Sequence, residues 1–537
     1  MNSVDLHVPL TDRTIPALLD AGARRWPDRT ALLDGHRRVS YAELAGEADR
    51  RGSALRELGI GWQQAVLLML DNHVDHVLTW LGANYHGRVQ AQVNTAYRGG
   101  LLTHVINNSD ADTMVIEDQY CERLALIEAD VPALRRVIVR GGTGAALPPG
   151  RFEVLDFDAV LTDGPGGGAE EPVQVWHRSA IVYTSGTTGP SKGVVQPHGL
   201  GFSYVSVEHW GLATLDDVVL VTLPQFHIAG QWTGVLAPLQ VGGAAALVER
   251  FTATGFWDDV RRFSATQTTM IAAMVNFVLA QPERPDDAET TLCKVVMAPI
   301  VNENETFKKR FGVEIAGGLG QTEAVLALAA RYGEDLPFCS GRVRPDFEAR
   351  VVDANDLDVP RGEIGELIVR PREPWSTMLE YQHNPEATAL KWRNLWLHSG
   401  DLVRQDEEDR FFYVDRNVDA IRRRGENISS VEVEAEIMRH PEVKLAAVVG
   451  VNSPDGEQEV MACLQLEPAA KLDLAALHAA LRERLPYFMV PRYIEIFQTL
   501  PLTPTERVQK GELRKAGIGP DCWDARAHGL EGRHSDR

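Results

Sequence analysis

One stretch of the chain reads Tyr183-Thr-Ser-Gly-Thr-Thr-Gly-Pro-Ser-Lys-Gly193 and directly follows the apolar run Ala180-Ile-Val182. Glycines let the backbone turn its N–H groups toward an anion, hydroxyls add hydrogen-bond donors, and a lysine adds a positive charge. The spacing differs from that of a Walker A loop, which needs Gly-x-x-x-x-Gly-Lys-Ser/Thr. A plain Gly/Ser/Thr surface loop is the alternative, but such a loop needs neither the lysine nor a preceding buried strand. The pattern therefore predicts a loop that binds a polyphosphate.

The length and composition are those of a globular protein with several subdomains. The chain has 537 residues, more than one hydrophobic core usually supports, and 44% of them are apolar. Its net charge of −21 argues against general nucleic-acid binding, which needs clustered Lys and Arg, but allows a local nucleotide pocket. The five cysteines include no Cys-x-x-Cys pair, so neither a disulfide framework nor a zinc site is predicted.

No targeting or membrane segment is predicted. The first residues lack the basic start and apolar core of a signal peptide. The longest apolar runs, such as the one that begins at Ala65, are far too short to cross a bilayer. We therefore expect a soluble, cytoplasmic protein.

Helical and strand patterns alternate through the first part of the chain. The predicted helices Tyr41–Leu58 and Val74–Tyr85 flank the predicted strand Gln64–Leu70, whereas residues 141–168, rich in Gly, Pro and Asp, read as a surface connection. Strands that alternate with helices predict parallel sheets with both faces covered. The fold class is therefore α/β, with a large N-terminal domain of two parallel-type sheets layered with helices.

The composition changes twice toward the C-terminus. Short strands dominate from about residue 341 to 416, which predicts a small β subdomain within an N-terminal domain of residues 1–416. Residues 417–519 alternate helices and strands as a small α+β domain, and the polar residues 520–537 are predicted to be disordered.

Four later segments place charged residues at turns. They are Gly320-Gln-Thr-Glu323, His398-Ser-Gly-Asp401, Asp415-Arg416 and Arg422-Arg-Arg-Gly-Glu-Asn-Ile428. Each alone also fits a capped helix, a tight turn or a solvated run of charges. Only their combination with the predicted phosphate loop indicates one site.

In this order and spacing, the segments resemble the adenylate-forming superfamily of acyl-CoA synthetases, luciferases and peptide-synthetase adenylation domains. The resemblance covers about residues 14–515, includes Leu223-Pro-Gln-Phe-His-Ile-Ala-Gly230, and is closest to carnitine/crotonobetaine-type CoA ligases. It implies that a carboxylate attacks the α-phosphate of ATP to give acyl-AMP and pyrophosphate. A thiol, usually CoA, then displaces AMP. Positioning and electrostatic stabilisation would carry most of the catalysis.

The resemblance also implies roles for individual residues. Lys192 and the loop before it would hold the β- and γ-phosphates, Thr322 the α-phosphate, Glu323 a Mg²⁺ ion, and Asp401 the ribose. The residues assigned to ATP binding are Thr184, Ser185, Gly186, Thr187, Thr188, Gly189, Lys192, Gly318, Leu319, Gly320, Thr322, Asp401 and Arg416. The catalytic set is His227, Glu323, Arg507 and Lys510, and the acyl pocket is Phe226, Val296, Met297 and Ala298. For His227, which would lie near the acyl carboxylate, a core histidine is the structural alternative.

The family's C-terminal domain rotates between the two reaction steps. The resemblance places the hinge at Asn417 and Val418, where Asp or Lys is frequent in the family. It places the CoA tunnel at Arg424 and Gly425, because a side chain at Gly425 would block the pantetheine arm. A mobile C-terminal domain is therefore expected.

Three positions depart from the family pattern. Leu319 stands where an aromatic ring usually stacks on adenine, a loss of about 1 kcal/mol in ATP binding. The segment that begins Val296-Met297 replaces a Gly-Gly pair beside the acyl pocket. Arg507 occupies the position of the catalytic lysine and has a planar fork rather than a compact charge. Lys510, three residues further on, is a weaker substitute.

Three functional hypotheses stay open. The first is a ligase that converts a small or medium carboxylic acid to its CoA thioester. The second is a ligase impaired in adenylation that receives acyl-AMP from a partner enzyme, because of Arg507. The third is a non-catalytic nucleotide-binding scaffold, which has no physical need for the phosphate loop, Glu323 and Asp401 together. Neither the identity of the acid nor the oligomeric state, including a homodimer, follows from the sequence.

Overall fold

The computed structural model describes residues 8–184, 191–297, 304–334, 339–416, 421–423, 426–428, 430–452, 458–501, 508 and 510–530. The strands are β1 Thr30–Leu33, β2 Arg38–Ser40, β3 Ala65–Met69, β4 Val89–Gln92, β5 Thr113–Glu117, β6 Arg136–Arg140, β7 Glu153–Asp156, β8 Arg178–Thr184, β9 Lys192–Pro197, β10 Val218–Val221, β11 Ala244–Leu247, β12 Gln267–Met270, β13 Lys294–Met297, β14 Glu314–Gln321, β15 Val325–Ala330, β16 Arg342–Val343, β17 Phe347–Val352, β18 Ile364–Pro371, β19 Glu380–Tyr381, β20 Leu397–Gln405, β21 Phe411–Arg416, β22 Ile421–Arg423, β23 Glu426–Ile428, β24 Val443–Asn452, β25 Gln458–Leu466, β26 Tyr493–Ile496 and β27 Trp523–Asp524.

The α-helices are α1 Ile15–Arg25, α2 Tyr41–Glu57, α3 Val74–Tyr85, α4 Gly99–Asn108, α5 Cys121–Ala125, α6 Phe157–Leu161, α7 His198–Tyr204, α8 Ala237–Val241, α9 Phe256–Phe263, α10 Ala272–Leu279, α11 Asn304–Phe311, α12 Pro385–Lys391, α13 Ser430–Ile437, α14 Leu474–Arg484 and α15 Lys510–Ala516. A π-helix, Ala229–Leu236, runs into α8. Short 3₁₀ turns lie at Leu10–Asp12, Asp118–Tyr120, Glu128–Asp130 and Arg393–Leu395. No helix in the described part of the chain is both long enough and apolar enough to cross a membrane.

The contacts divide the chain into two compact units. Unit 1 consists of Met1–Thr95, Ile106–Tyr183 and Gly193–Asp415. Unit 2 consists of Ala96–Val105, Thr184–Lys192 and Arg416–Arg537. Unit 2 therefore contains two short segments from the first half of the sequence, which the predicted domain boundaries did not include.

Two large sheets form the body of unit 1, as the alternating pattern predicts. One has the order β16-β15-β14-β13-β12-β10-β11-β1-β2, and the other the order β19-β9-β8-β4-β3-β5-β6-β7. Their central strands pair in parallel, for example β3 with both β4 and β5. Every residue of β3 is buried, because helices cover both faces of a parallel sheet.

Helices α2 and α3 have caps and packing contacts that explain why the sequence predicts them. Ser40 and Glu43 form a reciprocal capping box that satisfies free N–H groups at the start of α2. The two helices are joined by an ion pair between the buried Arg51 of α2 and Asp75 of α3, with a nitrogen–oxygen distance of 2.6 Å. Both helices begin and end within one residue of the prediction.

The large hydrophobic core of unit 1 reaches the π-helix. Trp80 of α3 and Trp232 of the π-helix are both buried and meet edge to face, with ring centroids 5.9 Å apart. Such aromatic pairs add about 0.5–1.5 kcal/mol beyond the area they bury. This contact connects the helical layer of one sheet with the segment that follows β10 of the other.

The predicted small β subdomain is confirmed as an antiparallel sheet of order β17-β18-β20-β21. Just before β17, the buried Arg344 pairs with Asp346 at 2.5 Å and donates a hydrogen bond to the Ser203 carbonyl at 2.7 Å. The ion pair neutralises the charge of a buried guanidinium. The hydrogen bond to Ser203 links the sheet to the end of α7.

In unit 2, β24 pairs antiparallel with β25, and β25 pairs in parallel with β26. The predicted disordered tail differs from the structure over residues 520–530. There β27 pairs antiparallel with β26, Ala525 is fully buried, and Asp524 forms an ion pair with Arg492 at 3.1 Å. A polar sequence was compatible with order because its charges are paired rather than solvated.

The predicted surface connection over residues 141–168 also differs from the structure. It contains β7, which extends the second large sheet by pairing with β6, and α6, whose Phe157 and Leu161 are buried. Asp156 caps α6 by accepting a hydrogen bond from the Ala159 N–H at 2.8 Å. Strand β7 has only two apolar residues, Val154 and Leu155, too short a run to indicate a strand.

Candidate active site

Glu323 lies in a tight turn between β14 and β15 of unit 1. The Ala324 N–H donates to the Gln321 carbonyl at 3.3 Å, and the chain reverses directly into β15. Val325 has a φ of 56°, a conformation that β-branched residues rarely adopt and that costs about 1–3 kcal/mol. Backbone strain of this kind is concentrated at functional sites, because the surrounding structure must hold it in place.

Gly318 and Gly320, near the end of β14, are required by the hairpin itself. A Cβ on Gly320 would lie 2.4 Å from the Val325 carbonyl oxygen, and one on Gly318 would lie 2.4 Å from that of Leu328. Neither position can accept a side chain without a shift of the β15 backbone. Their structural role is to bring the two strands together, and their predicted contact with ATP stays a prediction.

The Glu323 carboxylate is held in a fixed orientation. Its Oε1 accepts a hydrogen bond from the Tyr381 hydroxyl at 2.6 Å, and the Glu323 carbonyl accepts one from the Met378 N–H at 2.8 Å. The glutamate is only 9% exposed. Hydrogen bonds to ionised carboxylates are short and strong, so Tyr381 fixes the direction of the charge.

Gln321 connects this turn with Asp401. Its amide nitrogen donates to Asp401 Oδ2 at 2.6 Å and to the Ser399 carbonyl at 2.5 Å. The ammonium of Lys391 donates to the Gln321 amide oxygen at 2.9 Å. Asp401 is nearly fully buried at the turn within β20. Gln321 therefore links the turn that carries the predicted Glu323, two residues further on, to the predicted Asp401. Neither Gln321 nor Lys391 was among the predicted site residues.

Thr322 is held by a second residue that the sequence analysis missed. The fully buried Gln196 of β9 donates its amide nitrogen to the Thr322 carbonyl at 2.8 Å. The Thr322 side chain itself is half-buried. Its predicted contact with an α-phosphate stays a prediction.

The predicted phosphate loop is described only at its two ends. Thr184 ends β8 and Lys192 begins β9, both within unit 2. Ser185, Gly186, Thr187, Thr188 and Gly189 lie outside the described residues. Strand β8 is buried except at its two end residues, which agrees with the buried strand expected before the loop.

His227 and Phe226 follow β10 and are both half-buried. Their rings lie close together, with centroids 4.7 Å apart. The segment is braced by Asn72, whose amide donates to the Leu223 carbonyl at 2.9 Å and accepts from the Gln225 N–H at 2.9 Å. A half-buried imidazole on a braced turn is suited to binding an anion or moving a proton.

The predicted acyl-pocket residues on β13 are core residues in the structure. Val296 and Met297 are buried, and they belong to two different hydrophobic clusters because neighbouring side chains of a strand point to opposite faces. Ala298 lies outside the described residues. Leu319 is half-buried against the same cluster as Val296. A role for these residues in an acyl pocket stays a prediction.

Several predicted residues of the C-terminal region are not part of the described structure. They are Asn417, Val418, Arg424, Gly425 and Arg507, and the side chain of Arg416 is likewise outside the description. The predicted hinge, CoA tunnel and lysine replacement therefore stay predictions.

Lys510 has a clear environment in unit 2. Its ammonium pairs with Glu434 at 2.6 Å and donates to the Ser430 hydroxyl at 2.8 Å. These contacts join the first residue of α15 to α13. They give Lys510 a structural function within the unit, in addition to the catalytic one that was predicted.

Protein comparisons point to the same chemistry. Residues 19–381 match the AMP-binding enzyme family, and residues 432–507 match the AMP-binding enzyme C-terminal domain. A crotonobetaine/carnitine–CoA ligase of Salmonella enteritidis is 31% identical, over 91% of this chain and 96% of the relative. The corresponding ligase of Escherichia coli is 32% identical, over 89% and 93%.

Solved structures agree with this fold. An o-succinylbenzoate CoA synthetase from Bacillus subtilis superposes with a TM-score of 0.80 at 21% identity, over 93% of this chain and 98% of that one. An amide bond synthetase from Marinactinospora thermotolerans superposes with a TM-score of 0.79 at 25% identity, over 94% and 100%. The predicted fold class, a large α/β domain followed by a small α+β domain, is thereby confirmed.

Proposed function

Because the chain belongs to the AMP-binding enzyme family, we propose that it activates a carboxylic acid with ATP and transfers the acyl group to CoA. The carboxylate oxygen would attack the α-phosphorus, forming acyl-AMP and releasing pyrophosphate. The CoA sulfur would then attack the acyl carbon, forming the thioester and releasing AMP. The observation that carries the proposal is the hydrogen bond from the Gln321 amide to Asp401, because Gln321 lies two residues before Glu323 and so links the turn of Glu323 to Asp401.

The nucleotide would be bound by the predicted phosphate loop and by residues of the later motifs. We assign the β- and γ-phosphates to the segment from Thr184 to Lys192, and the ribose hydroxyls to Asp401. Thr322 would contact the α-phosphate, next to the carboxylate of Glu323. The hydrogen bond from Gln321 to Asp401 supports this assignment, because it fixes the orientation of the Asp401 carboxylate, and Lys391 in turn holds the Gln321 amide.

Glu323 would hold Mg²⁺ together with phosphate oxygens of the nucleotide. Mg²⁺ usually binds through one or two carboxylates plus substrate phosphates, and it keeps several waters. A single carboxylate whose orientation is set by the Tyr381 hydroxyl fits that pattern. When bound, the ion would neutralise charge on the phosphates, while Glu323 fixes where it sits.

His227 would contact the acyl carboxylate, on the braced segment after β10. The acid itself is proposed as small or medium in size, since the curated relatives act on crotonobetaine and carnitine, as their names state. One methylene in a hydrophobic pocket changes discrimination by only about 1–3 kcal/mol, so the pocket residues alone do not name the acid.

A panel of acids tests the proposal. Crotonobetaine, carnitine, short straight-chain acids and benzoate would be assayed separately for pyrophosphate release and for CoA thioester formation. We expect at least one acid to support both, with AMP as the nucleotide product. Release of ADP, or nucleotide turnover that does not depend on any acid, would contradict the proposal.

A ligase that depends on acyl-AMP from a partner enzyme is the second candidate, and it rests on Arg507 alone. The curated relatives favour the complete reaction, since CoA ligases match nearly the whole chain. Neither a partner enzyme nor a homodimer is required by the proposal. The acid panel separates the two candidates, because the second one requires thioester formation from acyl-AMP without pyrophosphate release from free acid.

A further inference from the structure

Ser191, the residue directly before Lys192, has all of its polar groups bound by side chains of unit 2. Its hydroxyl donates to Glu432 Oε1 at 2.6 Å, and its backbone N–H donates to the same carboxylate. Its carbonyl oxygen lies 2.7 Å from His104 Nε2, which must carry the proton because a carbonyl can only accept. Ser191 is only 3% exposed.

Glu432 lies on α13 and is only 6% exposed. Burial raises the pKa of this carboxyl to about 7, although the two hydrogen bonds from Ser191 favour its ionised form. Burying a carboxylate is costly unless its oxygens are hydrogen-bonded, and an apolar side chain would fill the position more favourably. A glutamate here is therefore explained better by its contact with Ser191 than by packing of the helix.

Helix α13 also lies beside the other early segment of unit 2. A Cβ added to Gly100, in the first turn of α4, would lie 3.3 Å from Glu436 Oε1 and 3.2 Å from a terminal nitrogen of Arg439. Glu436 and Arg439 form an ion pair at 3.3 Å. One helix thus contacts both the segment that carries His104 and the segment that carries Lys192.

We propose that Glu432 is a positioning residue that fixes the backbone at Ser191, so that the adjacent Lys192 meets the nucleotide phosphates from a fixed position. This inference rests on the phosphate role proposed for Lys192. An ordered segment binds its ligand without losing conformational freedom at that moment, which favours affinity. Glu432 is also the first residue matched to the C-terminal domain family. The contact therefore joins the residue before Lys192 to the segment that matches that family.

The test uses the full chain and MgATP alone, so that it does not depend on the identity of the acid. The variants are Glu432→Ala, Glu432→Gln, Ser191→Ala and the double variant Ser191→Ala/Glu432→Ala. We expect Glu432→Ala to weaken MgATP binding about threefold to tenfold, as the loss of one ordered contact would. Glu432→Gln should weaken MgATP binding less than Glu432→Ala does, since its amide oxygen still accepts one hydrogen bond. The double variant should be no weaker than Glu432→Ala, because the two residues form one contact.

Hydrogen exchange of the peptide that spans residues 184–193 gives a second readout. A residue that only stabilises the fold in general would not change exchange in this peptide selectively. Glu432→Ala should raise exchange in that peptide while leaving β3 and β5 protected. Ser40→Ala is the matched control, because it removes another serine–glutamate hydrogen bond, of 2.8 Å, at the cap of α2 in unit 1. It should change neither MgATP affinity nor exchange of the 184–193 peptide.

Lys192→Ala separates the two levels of the proposal. If Lys192→Ala weakens MgATP binding but Ser191→Ala and Glu432→Gln do not, the positioning role is wrong and the phosphate role stands. If Lys192→Ala leaves the affinity unchanged, the phosphate role fails and the positioning role fails with it. Should Glu432→Ala not fold, Ser191→Ala and Glu432→Gln decide the question alone.

Discussion

Tyr381 and Val325 both help to set the position of Glu323. The tyrosine hydroxyl holds one carboxylate oxygen at 2.6 Å. The positive φ of Val325 reverses the chain close enough behind Glu323 for the two strands to pair. An orientation fixed by the protein removes the need to reorganise the carboxylate when the nucleotide binds, which is the basis of electrostatic preorganisation.

Glu323→Ala should therefore lower the rate of pyrophosphate release about 100-fold to 1,000-fold while the protein stays folded. Tyr381→Phe should lower it by about tenfold, since it removes one hydrogen bond to a charged group, and should raise the magnesium concentration required. The measurement is pyrophosphate release as a function of magnesium concentration.

Tyr85→Phe is the matched control for Tyr381→Phe, because the Tyr85 hydroxyl also donates to a carboxylate, that of Asp20, at 2.6 Å. It should leave the rate unchanged. Wild-type pyrophosphate release by Glu323→Ala at limiting magnesium would show that the assigned role is wrong.

The sequence predicted charged residues of the site but not the amides that orient them. Glu323 and Asp401 stand in short motifs, whereas Gln321, Gln196 and Asn72 act on residues far away in the sequence. A buried glutamine has no periodicity and no motif of its own, so only the tertiary structure reveals its partner. Gln321 was visible inside a motif, yet nothing in the sequence indicated that Asp401 was its partner.

At the scale of secondary structure elements, Asp217 joins the amino ends of three strands in unit 1. Its Oδ2 accepts from the Thr214 N–H at 2.7 Å and from Lys294 Nζ at 2.8 Å, and its Oδ1 accepts from the Thr266 hydroxyl at 2.7 Å. These residues lie just before or at the starts of β10, β12 and β13. Burial opposes ionisation, but the hydrogen bonds from Lys294, Thr266 and Thr214 lower the pKa of Asp217.

Asp217→Ala should reduce the free energy of unfolding by about 2–3 kcal/mol at pH 7, somewhat less than is usual for breaking a fully buried pair. Because the folded pKa is lowered, the stabilisation is fully present above the unfolded pKa of about 3.9 and is lost as pH falls through the folded pKa. The difference between wild type and variant should therefore shrink in strong acid.

Urea unfolding at several pH values measures this prediction, with Asp216→Ala as the control. Asp216 is the neighbouring residue, its side chain is 93% exposed, and its contact with Arg29 is 4.0 Å long. It should change stability by less than about 0.5 kcal/mol. Equal effects of the two substitutions would contradict a structural role for the Asp217 junction.

The helices and strands that were predicted correctly are those with strong local sequence signals, such as caps, apolar periodicity or a continuous apolar run. Helices α2 and α3 carry caps and apolar periodicity, and β3 is a continuous buried run, so each was predicted to within a residue or two. Strand β7 is mostly exposed and lies in a glycine-rich region, so its sequence resembles that of a loop. Strand β27 is two residues long and is held by pairing with β26 and by the ion pair between Asp524 and Arg492, which composition does not reveal.

At the scale of the whole molecule, the proposed reaction has two steps that make different demands on the chain. Adenylation needs the nucleotide site, whereas thioester formation needs a path for the pantetheine arm. The family resemblance assigns these demands to two arrangements of the C-terminal domain. Substitutions in that domain should therefore separate the two half-reactions, which a single rigid site would not allow.

Gly425→Leu should spare pyrophosphate release and slow thioester formation by about 100-fold, because a side chain there would displace the thiol from the acyl carbon. Each half-reaction would be assayed alone, the second with synthetic acyl-AMP and CoA. Gly511→Leu is the control, since a Cβ on this glycine of α15 meets no atom within 4 Å. An equal loss of both half-reactions in Gly425→Leu would indicate a misplaced tunnel or misfolding.

The prediction for Arg507, in the same domain, is the opposite one: its substitution should affect adenylation rather than thioester formation. It occupies the position at which the resemblance expects a lysine that neutralises charge between the acyl carboxylate and the α-phosphate. Lys510 is a poor replacement, because its ammonium is already paired with Glu434 and bound to Ser430 inside unit 2. If the planar guanidinium serves adenylation less well than an ammonium, the first step limits the enzyme and the second does not.

Wild-type protein should then convert synthetic acyl-AMP and CoA to thioester faster than it adenylates the free acid. Arg507→Lys should raise adenylation by at least about threefold, equivalent to about 0.7 kcal/mol of barrier, and leave the second step nearly unchanged. Arg514→Lys, the same substitution at an exposed position of α15, should change neither step. Lys510→Ala should reduce the stability of unit 2 more than the adenylation rate of the folded protein. Faster adenylation than adenylate use in the wild type, with no gain from Arg507→Lys, would mean that the arginine is a competent substitute and that the chain is an ordinary two-step ligase.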